Sequence, residues 1–309
     1  MSALRALLDR SGARVLVMGV LNRTPDSFSD GGAFVDEAAA MERVAEMLAQ
    51  GADIVDVGAE STRPGAPRVP DDEQIARLGR TIEGAVGLGA IVSIDTTSAR
   101  VAAHAVGQGA SVVNCVDPAQ AAELGGLCAE HGAALVLMHC RGSMTGMPGF
   151  SATEDSAYRD VVAEVAAELS SAADRAMAAG LGRDEIVIDP GLGFAKNARH
   201  SLALVARLDE LRALGFPVLV GPSRKSFLAN VAASEEREAG GPAGIAPPSA
   251  RLGGTLAAVL ACAERGARVV RVHDVVEARQ ALAVWRAIGR VGERREVTQP
   301  RASGEVGRA

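Results

Sequence analysis

Eight short apolar runs along the chain each end on a polar or charged residue. Val15–Leu21 stops at Asn22, Ile54-Val55 leads to Asp56, Ile91–Ile94 stops at Asp95, and Val112-Val113 stops at Asn114. Ala134–Met138 stops at His139 and Ile186–Ile188 at Asp189. Val218–Val220 leads into Gly221, Ser223, Arg224 and Lys225, and Val269–Val272 carries Arg271 and ends at His273. Between most of these runs lie stretches with helical spacing of Ala, Leu, Glu and Arg. They cover Phe34–Gln50, Asp71–Gly87, Ser98–Gly107, Pro118–Glu130, Tyr158–Gly180, Ala198–Leu214 and Val275–Ile288. The seventh is split into Ser226–Ala233 and Arg251–Gly266, with a Gly-, Ala- and Pro-rich stretch, Ser234–Ala250, that reads as mobile. Strand followed by helix, repeated, predicts right-handed β-α-β units and a parallel sheet. Eight such units predict a closed (β/α)8 TIM barrel, whose functional groups stand at the C-terminal strand ends. The polar stops fall there. The long polar loops after strands one and two, Asn22–Gly32 and Glu60–Gly65, open over the same face.

The chain has 309 residues, which accommodates one barrel of about 250 residues with terminal segments. The even rhythm predicts a single domain over 1–289 and a polar C-terminal tail over 290–309 that frays. Aromatic residues make up only 3%, so Val, Leu, Ile and Ala must fill the core. A net charge of −6 argues against a nucleic-acid partner, because neutralising phosphates needs a basic face. No apolar run approaches the roughly 18 residues of a membrane span, and no basic-then-apolar leader opens the chain. Cys115, Cys128, Cys140 and Cys262 show no C-x-x-C spacing, which leaves a cytoplasmic protein as the plain reading. Of 32 basic side chains only Lys196 and Lys225 are lysines, and both follow strand ends. A position that keeps a compact ammonium in an arginine-rich chain is a candidate for chemistry that a planar guanidinium cannot do.

Three sets of groups converge on the predicted mouth. The cations Arg63, Arg224, Lys225, Arg271 and His273, with the hydroxyls of Ser61, Thr62, Ser223 and Ser226, read as an anion site or as separate surface ion pairs. Asp56, Asp95, Asn114 and Asp189 can read a heterocycle with several N–H donors, cage a divalent metal, or cap the following helices. Asn22 can help hold a magnesium ion that already carries phosphate oxygens, and Phe28 or Phe194 can stack on an aromatic substrate. No Ser–His–Asp spacing, H-E-x-x-H motif or P-loop is present; only Lys225 offers covalent chemistry, as a Schiff base.

Leu21-Asn22 with Thr24–Gly32, then Glu60–Ala66, Ile94–Thr97, Ile188–Gly193, Ser223–Phe227 and Arg271–Asp274, resemble the dihydropteroate synthase family in unbroken order from about Val15 to Ile288. The resemblance implies a TIM barrel, usually a homodimer. It also implies a magnesium-assisted condensation of 6-hydroxymethyl-7,8-dihydropterin diphosphate with 4-aminobenzoate in folate biosynthesis, the step targeted by sulfonamides. Carried over motif by motif, it places Asp95, Asn114, Met138, Asp189 and Lys225 on the pterin. Asn22, Thr62, Arg63, Arg271 and His273 fall on the diphosphate, with Asn22 also on the metal. Phe28, Thr62, Phe194 and Ser223 fall beside the aryl amine, and Asp95, Lys225 and Arg63 take the catalytic roles. Four positions depart from the family pattern: Arg23 adds charge to the first loop, Ala59 stiffens the second, Cys115 replaces an Asp after Asn114, and Ser234–Ala250 is long. The alternatives are a catalytically impaired pterin-binding paralogue, a methyltetrahydrofolate-binding methyltransferase barrel and a Schiff-base aldolase using Lys225.

Overall fold

The computed structural model describes residues 1–23, 33–61, 66–142, 153–241 and 244–296. Eight parallel strands form one sheet: β1 (Leu16–Asn22), β2 (Ile54–Gly58), β3 (Val92–Asp95), β4 (Val112–Cys115), β5 (Ala134–Met138), β6 (Ile186–Asp189), β7 (Leu219–Val220) and β8 (Val269–Val272). Neighbours pair in the order β6-β5-β4-β3-β2-β1-β8-β7, and an isolated bridge between Ile188 and Val218 brings the two ends of the sheet together. The TIM barrel expected from the apolar runs is the fold observed.

Side chains alternate across a strand, so every second residue faces the barrel axis. One inward set is apolar: Leu16, Met18, Ile54, Val112, Ala134, Val136, Val187, Leu219 and Val269 belong to a single buried cluster. Leu4 and Leu8 belong to it as well. They come from α1 (Ala3–Ser11), a helix that the spacing of apolar residues did not predict. Ser2 caps this helix by accepting a hydrogen bond from the Arg5 amide, and it also pairs with Glu185 just before β6. Arg268, just before β8, donates to the carbonyl of Leu8. Both tethers lie at strand beginnings, so α1 plugs the N-terminal end of the barrel.

Outside the strands pack α2 (Ala33–Ala49), α3 (Asp71–Leu78), α4 (Thr81–Gly87), α5 (Ala99–Gly107), α6 (Ala121–His131), α7 (Val161–Ala178), α8 (Ala198–Ala206), α9 (Leu208–Arg212), α10 (Ser226–Glu238), α11 (Leu252–Glu264) and α12 (Val275–Glu296). Two expected helices are each broken in two. Gly79, at φ 49°, ends α3 before α4 begins, and Arg207 separates α8 from α9. Two others run further than expected. The first half of the seventh helix continues beyond Ala233 to Glu238, so part of Ser234–Ala250 is ordered helix. Helix α12 continues to Glu296, into the segment read as a fraying tail; residues 297–309 lie outside the described residues.

Candidate active site

Two residues beyond the apolar inward layer, the same alternation delivers the next layer at the mouth. Ile54 is followed by Asp56, Val112 by Asn114, Val136 by Met138, Val187 by Asp189 and Val269 by Arg271. Asp95 pairs in register with Asn114, and Asp189 with Met138. The strand ends therefore become a ring of buried and half-buried groups because the strand period is two and each strand ends one step above the core.

Arg271 lies between two carboxylates. Its Nε donates to Asp56 Oδ2 at 2.6 Å and its Nη2 to Asp95 Oδ2 at 2.8 Å. Asn114 Nδ2 donates to the same Asp56 oxygen at 3.1 Å. Burial alone would lower the Arg271 pKa, but the charges of Asp56 and Asp95 outweigh it and keep the guanidinium protonated. Asp95 is pushed up to about 7, chiefly by burial; Arg271 opposes this, while Asp56 and Glu60 add to it. The second oxygens, Asp56 Oδ1 and Asp95 Oδ1, are buried with no hydrogen-bond partner. A buried carboxylate oxygen without a donor is costly, and it marks a place where a ligand's N–H groups belong.

Across the mouth, burial raises the Asp189 pKa against the opposing charge of Lys225 and the Gly191 amide, which donates to Oδ1 at 2.7 Å. Burial lowers Lys225 to about 8, with Asp189 pulling the other way. The Lys225 ammonium donates to the Leu192 carbonyl and lies 4.3 Å from the centre of the Phe194 ring, a cation–π contact. Val116, Met138, Cys140 and Phe194 form an apolar cluster beside these charges. The mouth thus offers acceptors on one side, an ammonium on the other, and an apolar wall between them.

Among the described residues, the cations read as one anion site each have partners of their own. Arg224, in a left-handed conformation at φ 59°, forks onto Asp274. Arg271 and Lys225 have the partners just described. The His273 ring accepts or donates at 3.0 Å to the Ser223 hydroxyl, which the His273 amide also reaches. Asn22 ends β1 with an exposed side chain. Phe28, Thr62 and Arg63 lie outside the described residues. Arg23 does not add charge to the first loop: it is buried, and its Nε donates to the Arg77 carbonyl at the C-terminal end of α3, where the helix dipole favours a cation. Cys115 faces outward, away from Asn114, with its thiol on the Asp117 carbonyl at 3.1 Å and its pKa pushed up to about 12 by burial, so it is a neutral packing residue.

The pterin-binding enzyme family matches residues 18–273, which includes all eight strand ends just described. A dihydropteroate synthase of Mycobacterium leprae is 44% identical over 88% of this chain and 94% of its own length. The structure of the Thermus thermophilus dihydropteroate synthase in complex with 4-aminobenzoate superposes with a TM-score of 0.74 at 42% identity. It covers 89% of this chain and 95% of that one. This chain belongs to the dihydropteroate synthase family. It is a transferase barrel of folate biosynthesis, as its strand-end motifs imply. A Mycobacterium tuberculosis relative named an inactive dihydropteroate synthase 2 is 38% identical over 88% of this chain and 82% of its own length.

Asp56 and the pair His139 and Lys196 are the groups that the family motifs did not bring forward as site residues. Asp56 carried a signal, a carboxylate at a strand end, but lies outside the motifs that name the dihydropteroate synthases. His139 was visible as a polar stop and Lys196 as one of two lysines, yet 57 positions separate them in sequence. Nothing in the spacing joins them.

Proposed function

We propose that this chain is a catalytically competent dihydropteroate synthase, and that the mouth described above is its pterin site. The observation that carries the reading is the pair of partnerless buried oxygens, Asp56 Oδ1 and Asp95 Oδ1, opposite Lys225 and Asp189. A pterin ring presents several N–H donors on one edge and acceptors on the other, which matches carboxylates facing an ammonium. Asn114 orients Asp56, Met138 packs on the ring, and Asp189 with Lys225 holds the far edge.

In the reaction the C–O bond to the diphosphate breaks, and the bonding pair leaves with pyrophosphate. The resulting pterin methylene cation is captured by the lone pair of the arylamine nitrogen, which then gives up a proton. Asp95, ionised above about pH 7, faces the cation and lowers its energy. Arg271 and His273 stand where β8 ends and would receive the leaving diphosphate, with Arg63 and Thr62 completing that group. Phe28, Phe194, Thr62 and Ser223 would flank the amine.

Among the described residues no group of three or more His, Cys, Asp or Glu is placed to hold a metal ion. A single neutral amide at Asn22 fits a magnesium ion that brings its other oxygen ligands with the diphosphate. Bound there, the ion would neutralise charge on the leaving group. A homodimer is part of the same reading, supported by the exposed apolar stripe Val284, Ile288 and Val291 on α12. A cytoplasmic location is supported by four free buried cysteines.

Pyrophosphate release with the pterin diphosphate, 4-aminobenzoate and magnesium tests the reading. Turnover that requires both substrates is the expected result. Tight pterin binding without turnover would place the chain with the inactive paralogues.

A further inference from the structure

Behind the Phe194 wall lies a polar network that the reaction above does not use. Lys196 is fully buried, which lowers its pKa to about 7, and its amino group meets three acceptors, held best as the ammonium: His139 Nδ1 at 2.8 Å, the Phe194 carbonyl at 2.9 Å and the His139 carbonyl at 3.4 Å. An ammonium has three N–H donors in a tetrahedral array, and a planar guanidinium cannot address this set. That accounts for a lysine in a chain that uses arginine almost everywhere else. The other ring nitrogen of His139 lies 3.0 Å from Glu168 Oε2 on α7, near the surface. Burial, then the charge of Lys196, lowers His139 to about 3, so the ring is neutral. Glu168 therefore assigns the proton to Nε2 and leaves the Nδ1 lone pair to Lys196.

The loop that Lys196 holds is tightly constrained. A side chain at Gly191 would place its Cβ 2.0 Å from the His139 carbonyl, so the loop presses directly on the end of β5. Ala195 adopts φ 47°, a left-handed conformation that L-residues keep only when their surroundings impose it. Tyr158 Oη donates to the Ala195 carbonyl at 3.0 Å, and the Gly193 amide donates to Ser201 Oγ at 3.1 Å. Between these anchors the loop projects Phe194 over the Lys225 ammonium and offers the Leu192 carbonyl to it.

We propose that Lys196 is a positioning residue for the aryl-amine half of the site: from behind the wall it clamps the Phe194 and His139 carbonyls together, and Glu168 supports the clamp through His139. The inference rests on the dihydropteroate synthase reading and deepens it. Lys196 touches no substrate; it sets the place of Phe194, on which the aromatic ring of the amine would pack. Loss of the clamp should cost binding of that half most; the pterin half shares only the Lys225 contact with the loop and keeps Asp56, Asp95, Asn114 and Asp189, so it should lose less.

The test is calorimetry on the full chain with two ligands, a pterin alone and 7,8-dihydropteroate, which spans both halves. Lys196→Met keeps the length of the stem and removes the donors. It should weaken dihydropteroate binding by about tenfold or more while pterin affinity falls by no more than about threefold. Glu168→Gln, on the outer face of α7, should shift the same ligand in the same direction by about two- to fivefold; it also removes the charge facing Arg141, so a small fall in thermal midpoint is expected beside it. If Lys196→Met does not fold, Glu168→Gln decides alone. Unchanged dihydropteroate affinity in a folded variant, or equal losses for both ligands, would overturn the inference. A wild-type chain that binds both ligands but does not turn over would count against the catalytic reading only. A wild-type chain that binds neither would overturn both.

Discussion

The two ends of the barrel are built on opposite terms. At the N-terminal end, α1 seats Leu4 and Leu8 among the inward apolar residues, and most polar groups around it are paired: Ser2 with Glu185, Arg5 with Asp9 and Asp184, and Arg268 Nη2 with the Leu8 carbonyl, while Arg268 Nε is buried without a partner. At the C-terminal end, buried carboxylates and an amide meet a half-buried ammonium and guanidinium, and two carboxylate oxygens have no donor. One end is plugged and largely satisfied, the other open and unfinished. In a barrel of this kind, stability resides at one face and chemistry at the other, so the same substitution cost should appear in different measurements.

The largest effect should come from breaking the closed end. Leu4→Ala removes a side chain that is 1% exposed and leaves a cavity under the barrel, which should cost about 2–5 kcal/mol of unfolding free energy. Turnover per folded molecule should stay near wild type. Denaturant titration with active-site counting reads both numbers, and a large kinetic loss in the folded fraction would show that the two ends are not independent.

The converse experiment is Lys225→Ala. It should cut turnover by a factor on the order of 10², because a charge-assisted contact in a dry pocket is lost. Burial lowers the Lys225 pKa in the fold, so the unfolded chain binds its proton more readily, and below about pH 8 the ammonium opposes folding. The thermal midpoint of the variant at neutral pH should therefore hold or rise. Near-normal kinetics would remove Lys225 from the site.

A smaller effect should sharpen the contrast through pH. Asp95 titrates near 7, and pterin recognition needs its carboxylate, so affinity should fall about tenfold per unit as pH drops below 7. Lys225 titrates near 8 and loses its charge above that, which sets an alkaline limb. Pterin affinity should follow a bell with its maximum between the two values, while the arginine–carboxylate pairs of α1, Arg5 with Asp9 and Asp184, stay constant across this window. A flat profile between about pH 5.5 and 9 would mean that neither group meets the ligand.

Most of the open end was legible in the chain itself. Strand period and a polar stop are local properties, so Asp95, Asn114, Asp189 and Lys225 could be placed at the mouth from spacing alone. What spacing could not show were partners. Five cations near strand ends read as one anion site, but Asp274 takes Arg224 and Asp56 with Asp95 takes Arg271, and these acceptors come from other elements. Arg23 was read as loop charge because nothing near it in sequence shows that α3 ends beside it. Helix α1 was missed for a similar reason: nine residues with two buried leucines mean little until there is an open barrel end to fill. The helix breaks at Gly79 and Arg207 are matters of boundary, where periodicity is weakest.

The seam of the sheet has a mechanical consequence. Seven junctions between strands are ladders; the eighth, between β6 and β7, is the lone Ile188–Val218 bridge with the Ile188 amide on the Pro217 carbonyl at 3.0 Å. Asp189 follows Ile188 on one lip of this gap, and Lys225 comes from the segment after β7 on the other. A ligand gripped by both would act as a rivet across the least stitched joint of the ring. Amide hydrogen exchange should be fastest among the strands along this joint and should slow when a pterin binds, more than at any laddered junction. The enzyme by itself would then be a hoop with one weak join, and its substrate the part that completes it.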